Sequence, residues 1–134
     1  MTNPNRQVAL SFYDHLNHRN LDAIESMTSD TYVGHGFGDE GRASLRRDLE
    51  GMLAAFSDLR VDVEQSIADG DRVAVRMTMT GTHTGDFAGV PASGNQIDVP
   101  SCDVLRIQDG KVAEYWPLCD TARLFSQLNQ VQVR

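Results

Sequence analysis

Asp120 is the first candidate for acid–base chemistry in this sequence. It follows Trp116 by four positions, at the end of the predicted strand 111–120. An aromatic ring followed by a carboxylate at the end of a strand can form the floor of a small-molecule cavity. A carboxylate in a poorly solvated cavity can remove a proton alpha to a carbonyl and later return one, because burial disfavours its charged form. The alternative is structural, since an Asp before Thr121 can cap a C-terminal helix.

Two histidines are further candidates. His35 lies among glycines in the segment 32–38, which we predict to be a loop, and it could reach over a cavity mouth to a substrate carbonyl or to the carboxylate. A solvated loop histidine is the alternative. His83 follows the end of a long predicted strand and either lines the cavity rim or stabilises the turn. No pair among the four histidines has metal-site spacing with carboxylates, so we predict no metal site.

Several other side chains could bind a substrate or simply fill the core. Trp116, the single tryptophan, could pack flat against a ligand or belong to the core. Asp103 and Arg76 are polar groups in the middle of strands. If Asp103 faces inward it needs a partner, and Arg76 could pair with it in a structural ion pair, which we favour over a catalytic role. The candidate apolar walls are Tyr32, Phe37, Met52, Phe56, Met77 and Phe87.

The elements that must position these residues follow from the spacing of apolar side chains. A period near 3.6 predicts helices over 5–28, broken at 15–20, over 41–56 and over 121–130. A period of two predicts strands from 59 and over 72–82, 97–107 and 111–120. Helices followed by an antiparallel meander predict an α+β domain, with helices on one face of a curved sheet. Such a sheet closed by helices is a cone with an interior, and its other face could be covered by another subunit.

Composition restricts the classes of partner. The chain has 134 residues, a size typical of one domain, and a net charge of −7. That charge argues against nucleic acid and anionic membranes as partners, because a protein that binds either needs a basic surface. No apolar run reaches the length of a membrane span, and the N-terminal residues do not resemble a signal peptide. We therefore predict a cytoplasmic protein in which Cys102 and Cys119 are free thiols, although a bridge between their strands is not excluded.

Several segments resemble a known family. They are Phe56-Ser57-Asp58-Leu59-Arg60-Val61, Ala68-Asp69-Gly70-Asp71-Arg72-Val73-Ala74-Val75-Arg76, Gly81-Thr82-His83-Thr84-Gly85-Asp86-Phe87, Arg106-Ile107-Gln108-Asp109-Gly110-Lys111-Val112-Ala113-Glu114-Tyr115-Trp116 and Asp120. Together they resemble the SnoaL-like polyketide cyclase (ester cyclase) branch of the NTF2-like superfamily, over roughly residues 5–128. The resemblance implies an α+β cone that is usually a homodimer through the convex side of its sheet.

The resemblance also implies an activity. Characterised members close rings by intramolecular aldol condensation without a metal or a Schiff base. An aspartate after the Trp of the last strand is their general acid and base, and Asp120 occupies the matching position. Pro117 and Cys119 depart from the usual family pattern, which affects the backbone just before Asp120.

We therefore expect a cofactor-independent cyclase or isomerase that binds a small hydrophobic carbonyl compound in the cone. Asp120 would be the acid and base, with His35 and His83 positioning the substrate. One alternative is a non-catalytic module for ligand binding or dimerisation. Another is hydrolysis or epoxide opening in the same cavity, which would require Asp120 and Asp103 to lie on one wall.

Overall fold

The computed structural model describes residues 3–36 and 41–129, which contain four helices and five strands. The helices are α1 (Pro4–Asn17), α2 (Leu21–Ser26), α3 (Arg42–Ala55) and α4 (Thr121–Leu128). The strands are β1 (Thr28–Gly34), β2 (Arg60–Asp69), β3 (Arg72–Thr82), β4 (Gln96–Gln108) and β5 (Lys111–Trp116). The fold is α+β, as predicted.

The N-terminal helices begin at asparagine caps. The Asn3 side chain accepts a hydrogen bond from the amide of Asn5, and Pro4 follows where a missing amide hydrogen costs nothing. The Asn20 side chain accepts from the amide of Ala23 and begins α2. The predicted break between the two helices is therefore confirmed.

The five strands form one mixed sheet in the order β1-β5-β4-β3-β2, with β1 parallel to β5 and the other pairs antiparallel. The prediction of a loop over 32–38 was wrong for its first three residues. Tyr32, Val33 and Gly34 belong to β1, because Val33 and Gly34 pair with Glu114 and Tyr115 of β5. Local glycine content gave no sign of this pairing, which depends on residues far along the chain.

Alternation along the strands separates an inner from an outer face. Val75 pairs with Asp103 on the inner face, which the helices cover. The next pair, Arg76 with Cys102, is on the outer face. In β5 the alternation is interrupted, because the register with β4 shifts at Ala113 and both Val112 and Ala113 are buried. Beyond the shift, Tyr115 is on the inner face, opposite Leu105, while Glu114 and Trp116 are on the outer face, opposite Arg106 and Val104.

Strand β2 lies at an edge of the sheet, and helix α1 is attached to it through one side chain. The side-chain nitrogen Nδ2 of Asn17 donates to the backbone carbonyl of Val61 at 2.8 Å. The Val61 amide in turn donates to the Asn17 side-chain oxygen at 2.8 Å. This two-way hydrogen bond positions the C-terminal end of α1 over the sheet, close to Tyr13.

None of the helices within residues 3–36 and 41–129 has both the length and the apolar character that crossing a membrane requires.

Candidate active site

A cavity of about 110 Å³ lies between the helices and the inner face of the sheet. Its wall is mostly apolar, with polar groups from a few side chains. The polar contributors among the described residues are Tyr13, Tyr32, Asp48, Ser101, Asp103, Tyr115 and Cys119. The main apolar contributors are Leu16, Leu45, Leu49, Met52, Leu59, Val61, Met77, Met79, Phe87, Pro117 and Leu124. An apolar wall with a few convergent polar groups is typical of a small-molecule site.

Asp103 is the buried carboxylate of this cavity. Its Oδ2 accepts hydrogen bonds from the hydroxyls of Tyr13 at 2.6 Å and Tyr115 at 2.8 Å. Its Oδ1 accepts from the Ser101 hydroxyl at 3.0 Å and from the amide of Leu118 at 3.3 Å. Four donors from α1, β4, β5 and the segment after β5 therefore converge on one carboxylate, which has about four acceptor positions.

The local sequence explains how this cluster is assembled. Asp103 and Ser101 both face inward because they are two positions apart in β4. Tyr13 lies on the buried stripe of α1, beside Phe12 and Leu16. Burial raises the pKa of both Tyr13 and Tyr115 well above the usual value, and the negative charge of Asp103 adds to the effect. Both phenols therefore stay protonated and keep donating to Asp103.

A second carboxylate, Asp48, reaches the cavity from α3. Burial, and secondarily the charge of Asp48, raises the pKa of the Tyr32 hydroxyl. Two glycines of the cavity lining are closely packed against neighbouring side chains. A Cβ at Gly34 would lie 2.8 Å from the Tyr32 hydroxyl, and one at Gly36 would lie 2.8 Å from Cγ of Pro117. Both glycines line the cavity, so side chains there would narrow it.

Asp120 is on the surface and does not line this cavity. Its Oδ1 accepts from the amide of Arg123 at 3.0 Å, and its main-chain carbonyl accepts from the amide of Leu124. The residue is exposed. Asp120 therefore caps the N-terminus of α4, which was the alternative role considered for it from the sequence.

His35 and Trp116 lie together on the outer face of the sheet. Their rings stack with centroids 4.9 Å apart and planes 4° apart. The His35 Nε2 is 2.6 Å from a carboxylate oxygen of Glu114, whose other oxygen accepts from Arg106 at 3.0 Å. The Arg72 guanidinium is 5.1 Å from the centre of the Trp116 ring. The pKa of Glu114 is lowered, first by the hydrogen bond with His35 and then by that from Arg106. The structure thus separates His35 and Trp116 from the cavity.

His83 is fully buried, but it belongs to a loop and not to the cavity wall. Its Nδ1 is 2.8 Å from the Ser93 hydroxyl and accepts from the Ser93 amide at 3.2 Å. Its ring lies beside Phe56, with centroids 5.5 Å apart. Phe56 is fully buried and also lies behind the cavity wall. His83 therefore stabilises the segment that follows β3.

The ion pair expected between Arg76 and Asp103 does not form. Neighbouring residues of a strand face opposite sides, and the register pairs Arg76 with Cys102 and Asp103 with Val75. Arg76 is on the outer face, where it pairs with Glu64 at 2.6 Å. The tyrosine hydroxyls replace it as partners of Asp103. Of the other predicted wall residues, Tyr32, Met52, Met77 and Phe87 line the cavity, and Phe37 lies outside the described residues.

The two cysteines are free thiols, as predicted. Cys102 is exposed on the outer face, whereas Cys119 lines the cavity. The pKa of Cys119 is raised by burial first and by the nearby charge of Asp103 second. The thiol form is therefore favoured at the cavity wall.

A sequence profile of the SnoaL-like polyketide cyclase family matches residues 7–128. The chain belongs to this family. A search of curated protein sequences found no match.

Solved structures agree with this assignment of the SnoaL-like fold. AclR from Streptomyces galilaeus, a proposed hydroxylase, is 31% identical with a TM-score of 0.84, over 97% of this chain and 83% of that chain. A proposed SnoaL-like polyketide cyclase from Jannaschia sp. CCS1 is 24% identical with a TM-score of 0.88, over 96% and 94% of the two chains. IdmH from Streptomyces antibioticus, a proposed polyketide cyclase, is 23% identical with a TM-score of 0.82, over 94% and 99%.

Tyr13, Tyr115 and Asp48 line the cavity of this SnoaL-like chain although they were not among the predicted site residues. Tyr115 had no signal in the sequence, because strict alternation from Val112 places it on the outer face and only the register shift at Ala113 brings it inside. Tyr13 had a weak signal, a polar tip on an otherwise apolar helical stripe. Asp48 lies three residues after Leu45 and four before Met52, both of which line the cavity. A carboxylate within an apolar stripe was the feature that could have identified it.

Proposed function

We propose that this SnoaL-like protein binds a small hydrophobic carbonyl compound in the cavity and catalyses its cyclisation or isomerisation by acid–base chemistry. The observation that supports this proposal most is the convergence of four donors on the buried carboxylate of Asp103 at an apolar cavity. In the proposal Asp103 takes the role that the family resemblance assigned to Asp120.

The proposed chemistry uses the position of Asp103. Its carboxylate would take a proton from the carbon alpha to the substrate carbonyl, leaving an enolate that attacks or rearranges. The same group would then protonate the new oxygen. One of its four donors must move aside when the proton arrives, and the Leu118 amide makes the longest of those bonds, at 3.3 Å. Exclusion of water by the apolar wall would strengthen each of these interactions.

Proton exchange can test this proposal without knowing which ring is closed. Acetophenone in deuterated water exchanges its methyl protons through an enolate, and proton NMR follows the loss of signal. We expect the wild-type protein to accelerate this exchange. The acceleration by the Asp103→Asn variant should be at least about a hundredfold smaller than that by the wild type, because a general base usually contributes that much. Asp120→Asn should keep it.

Two outcomes would contradict the proposal. If Asp120→Asn loses the acceleration and Asp103→Asn keeps it, the base is Asp120, as the sequence resemblance implied. If the wild-type protein gives no acceleration for acetophenone or larger aromatic ketones, acid–base catalysis at this cavity is wrong. Circular dichroism of both variants checks that each has folded.

The main alternative is a non-catalytic ligand-binding module. Two observations favour it: the acceptor positions of Asp103 are already occupied, and the volume of about 110 Å³ is below the several hundred Å³ of a usual ligand site. In that case Asp103 would hold the wall together and orient a ligand. Saturable binding of an aromatic ketone with no proton exchange would support this alternative.

Hydrolysis or epoxide opening has less support. That alternative required Asp120 and Asp103 on one wall, and Asp120 does not line the cavity. The carboxylates that share the cavity are Asp48 and Asp103.

We also propose that the protein is a homodimer through the outer face of its sheet. One apolar residue from each of four strands forms a row across that face: Ile67, Ala74, Val104 and Trp116. Ile67 is 61% exposed although it is large and apolar. Charged residues lie beside the row, among them Arg72, Arg106 and Glu114. A second copy would cover the row and provide oppositely charged partners.

A further inference from the structure

At the polar end of the cavity, formed by Tyr13, Ser101, Asp103 and Tyr115, every hydroxyl hydrogen already takes part in a hydrogen bond to Asp103. The hydroxyls of Tyr13 and Tyr115 both donate to Oδ2 of Asp103, at 2.6 and 2.8 Å. The Ser101 hydroxyl donates to Oδ1 and lies 3.2 Å from the carbonyl of Leu118 as a second acceptor. Each hydroxyl has a single hydrogen to donate. None of the three can therefore donate to a ligand without breaking a bond to the carboxylate.

Acceptor capacity at the same place remains. A tyrosine oxygen that donates its hydrogen still has lone pairs, and both phenol oxygens belong to residues that line the cavity. Their hydrogen bonds to a carboxylate also make these oxygens better acceptors, since hydrogen bonds in a chain polarise one another. The raised pKa of both phenols agrees with this arrangement, because each keeps its proton for Asp103. The hydroxyls at this end of the cavity can therefore accept hydrogen bonds from a ligand but have no hydrogen to offer it.

We infer that Tyr13 and Tyr115 select a ligand whose buried end is a hydrogen-bond donor, namely a ring hydroxyl of a phenol or an enol. If a ligand presented only a carbonyl or ether oxygen to this end, that oxygen would face a tyrosine oxygen with no hydrogen between them. Such an unpaired contact in a buried apolar cavity is costly. The inference rests on the proposed function in one respect only, that the ligand occupies this cavity.

The size of the cavity and the position of Tyr32 define the ligand further. A volume of about 110 Å³ is of the same order as the roughly 150 Å³ apolar cavity in another protein that admits benzene. One six-membered ring is therefore the part of the ligand that would be enclosed. Tyr32 also lines the cavity, and its protonated hydroxyl is a donor that does not bind Asp103. A carbonyl of the ligand would accept from Tyr32 while the ring hydroxyl donates to Tyr13 or Tyr115.

Phenol and anisole test the inference directly. Both have one ring and one oxygen, but the O-methyl group of anisole removes the donor and leaves the acceptor. We expect phenol to bind the wild-type protein more tightly than anisole by about fivefold or more, the usual value of one hydrogen bond. Isothermal titration calorimetry, or ligand-observed NMR for weak binding, measures the two dissociation constants. Equal affinities, tighter anisole binding, or no binding of either compound would overturn the inference.

Asp103→Asn provides the second measurement. The backbone amide of Leu118 can only donate, so the asparagine oxygen should face Leu118 and its nitrogen should face the two tyrosines, whose hydrogens then become available to a ligand. We expect the preference for phenol to fall below about twofold or to reverse. Asp109→Asn is the matched control, because Asp109 is exposed in the β4–β5 turn at φ 52°, a conformation that Asn adopts readily. It should keep the full preference.

An unchanged preference in a folded Asp103→Asn variant would contradict the role of the tyrosines. If circular dichroism shows that this variant does not fold, the comparison of phenol and anisole on the wild-type protein decides alone. No step of the experiment depends on turnover. Failure of the acetophenone exchange therefore leaves this inference standing, and failure here leaves Asp103 as a candidate base.

Discussion

The hydroxyl of Tyr13 on helix α1 donates a 2.6 Å hydrogen bond to the carboxylate of Asp103 on strand β4, a residue 90 positions later in the chain. Both groups are buried, and both lie on the wall of the same cavity. The bond therefore joins the first helix to the centre of the sheet at the point where we propose that chemistry occurs. Its strength bears on the stability of the fold as well as on the site.

Replacing Tyr13 by Phe should lower the free energy of unfolding by about 1.5–3 kcal/mol, because a hydrogen bond to a charged group is lost inside the protein. Urea denaturation followed by circular dichroism measures this difference. Tyr32→Phe is the control, since Tyr32 does not bind Asp103, and it should cost less than half as much. A loss below about 0.5 kcal/mol for Tyr13→Phe would contradict the account of this bond.

The three tyrosines of the chain should resist ionisation until the protein unfolds. The pKa of each is raised, mainly by burial. A raised pKa in the folded state means that the unfolded state releases protons first, so this stabilisation is present below the usual tyrosine pKa of about 10 and is lost as the pH rises above it. Ultraviolet absorbance of phenolate and far-ultraviolet circular dichroism should therefore change together. Phenolate formation well before unfolding would show that a tyrosine is more accessible than described.

The contacts of Glu114 should make stability depend on pH in the acid range. Its pKa is lowered in the folded state, so its contribution is present above the usual Glu pKa of about 4.3 and is lost as the pH falls through the lowered value. Glu114→Gln should unfold at a lower temperature than the wild type near pH 7, and the gap should shrink in acid. Thermal unfolding at several pH values measures both, and Asp109→Asn should show no such gap. A gap that is constant with pH would be contrary to this account.

The proposed dimer predicts a strong effect of a charge in the apolar row on the outer face. Ile67→Lys should shift the protein to a monomer, because Ile67 would be buried against the second copy. Analytical ultracentrifugation measures the mass. Leu118→Lys is the matched control: Leu118 is another large apolar residue, 68% exposed, but it lies outside the row, and the variant should keep the wild-type mass. A monomeric wild type, or a dimeric Ile67→Lys, would show that the row is not the interface.

Periodicity was enough to predict the helices and the strands before and after the β4–β5 turn, but it left the direction of Asp103 open. It failed at β5, where the register shift at Ala113 inserts an extra residue and reverses which face the following side chains occupy. Trp116 was therefore expected inside, whereas Tyr115 is there. Asp120 illustrates a second limit, since a carboxylate before a helix is the same in sequence whether it caps the helix or faces a cavity. The contact of Tyr13 with Asp103 had no local signal at all.

The paired hydrogen bonds between Asn17 and Val61 have a consequence for the behaviour of this protein in concentrated solution. An edge strand with unsatisfied backbone groups is a template on which a strand of another molecule can add. The Asn17 side-chain amide imitates such a strand at one position of β2, with one donor and one acceptor, and so satisfies the backbone groups of Val61 that an added strand would otherwise pair with. The side chain that orients the first helix thereby also opposes aggregation by strand addition at the β2 edge of the sheet.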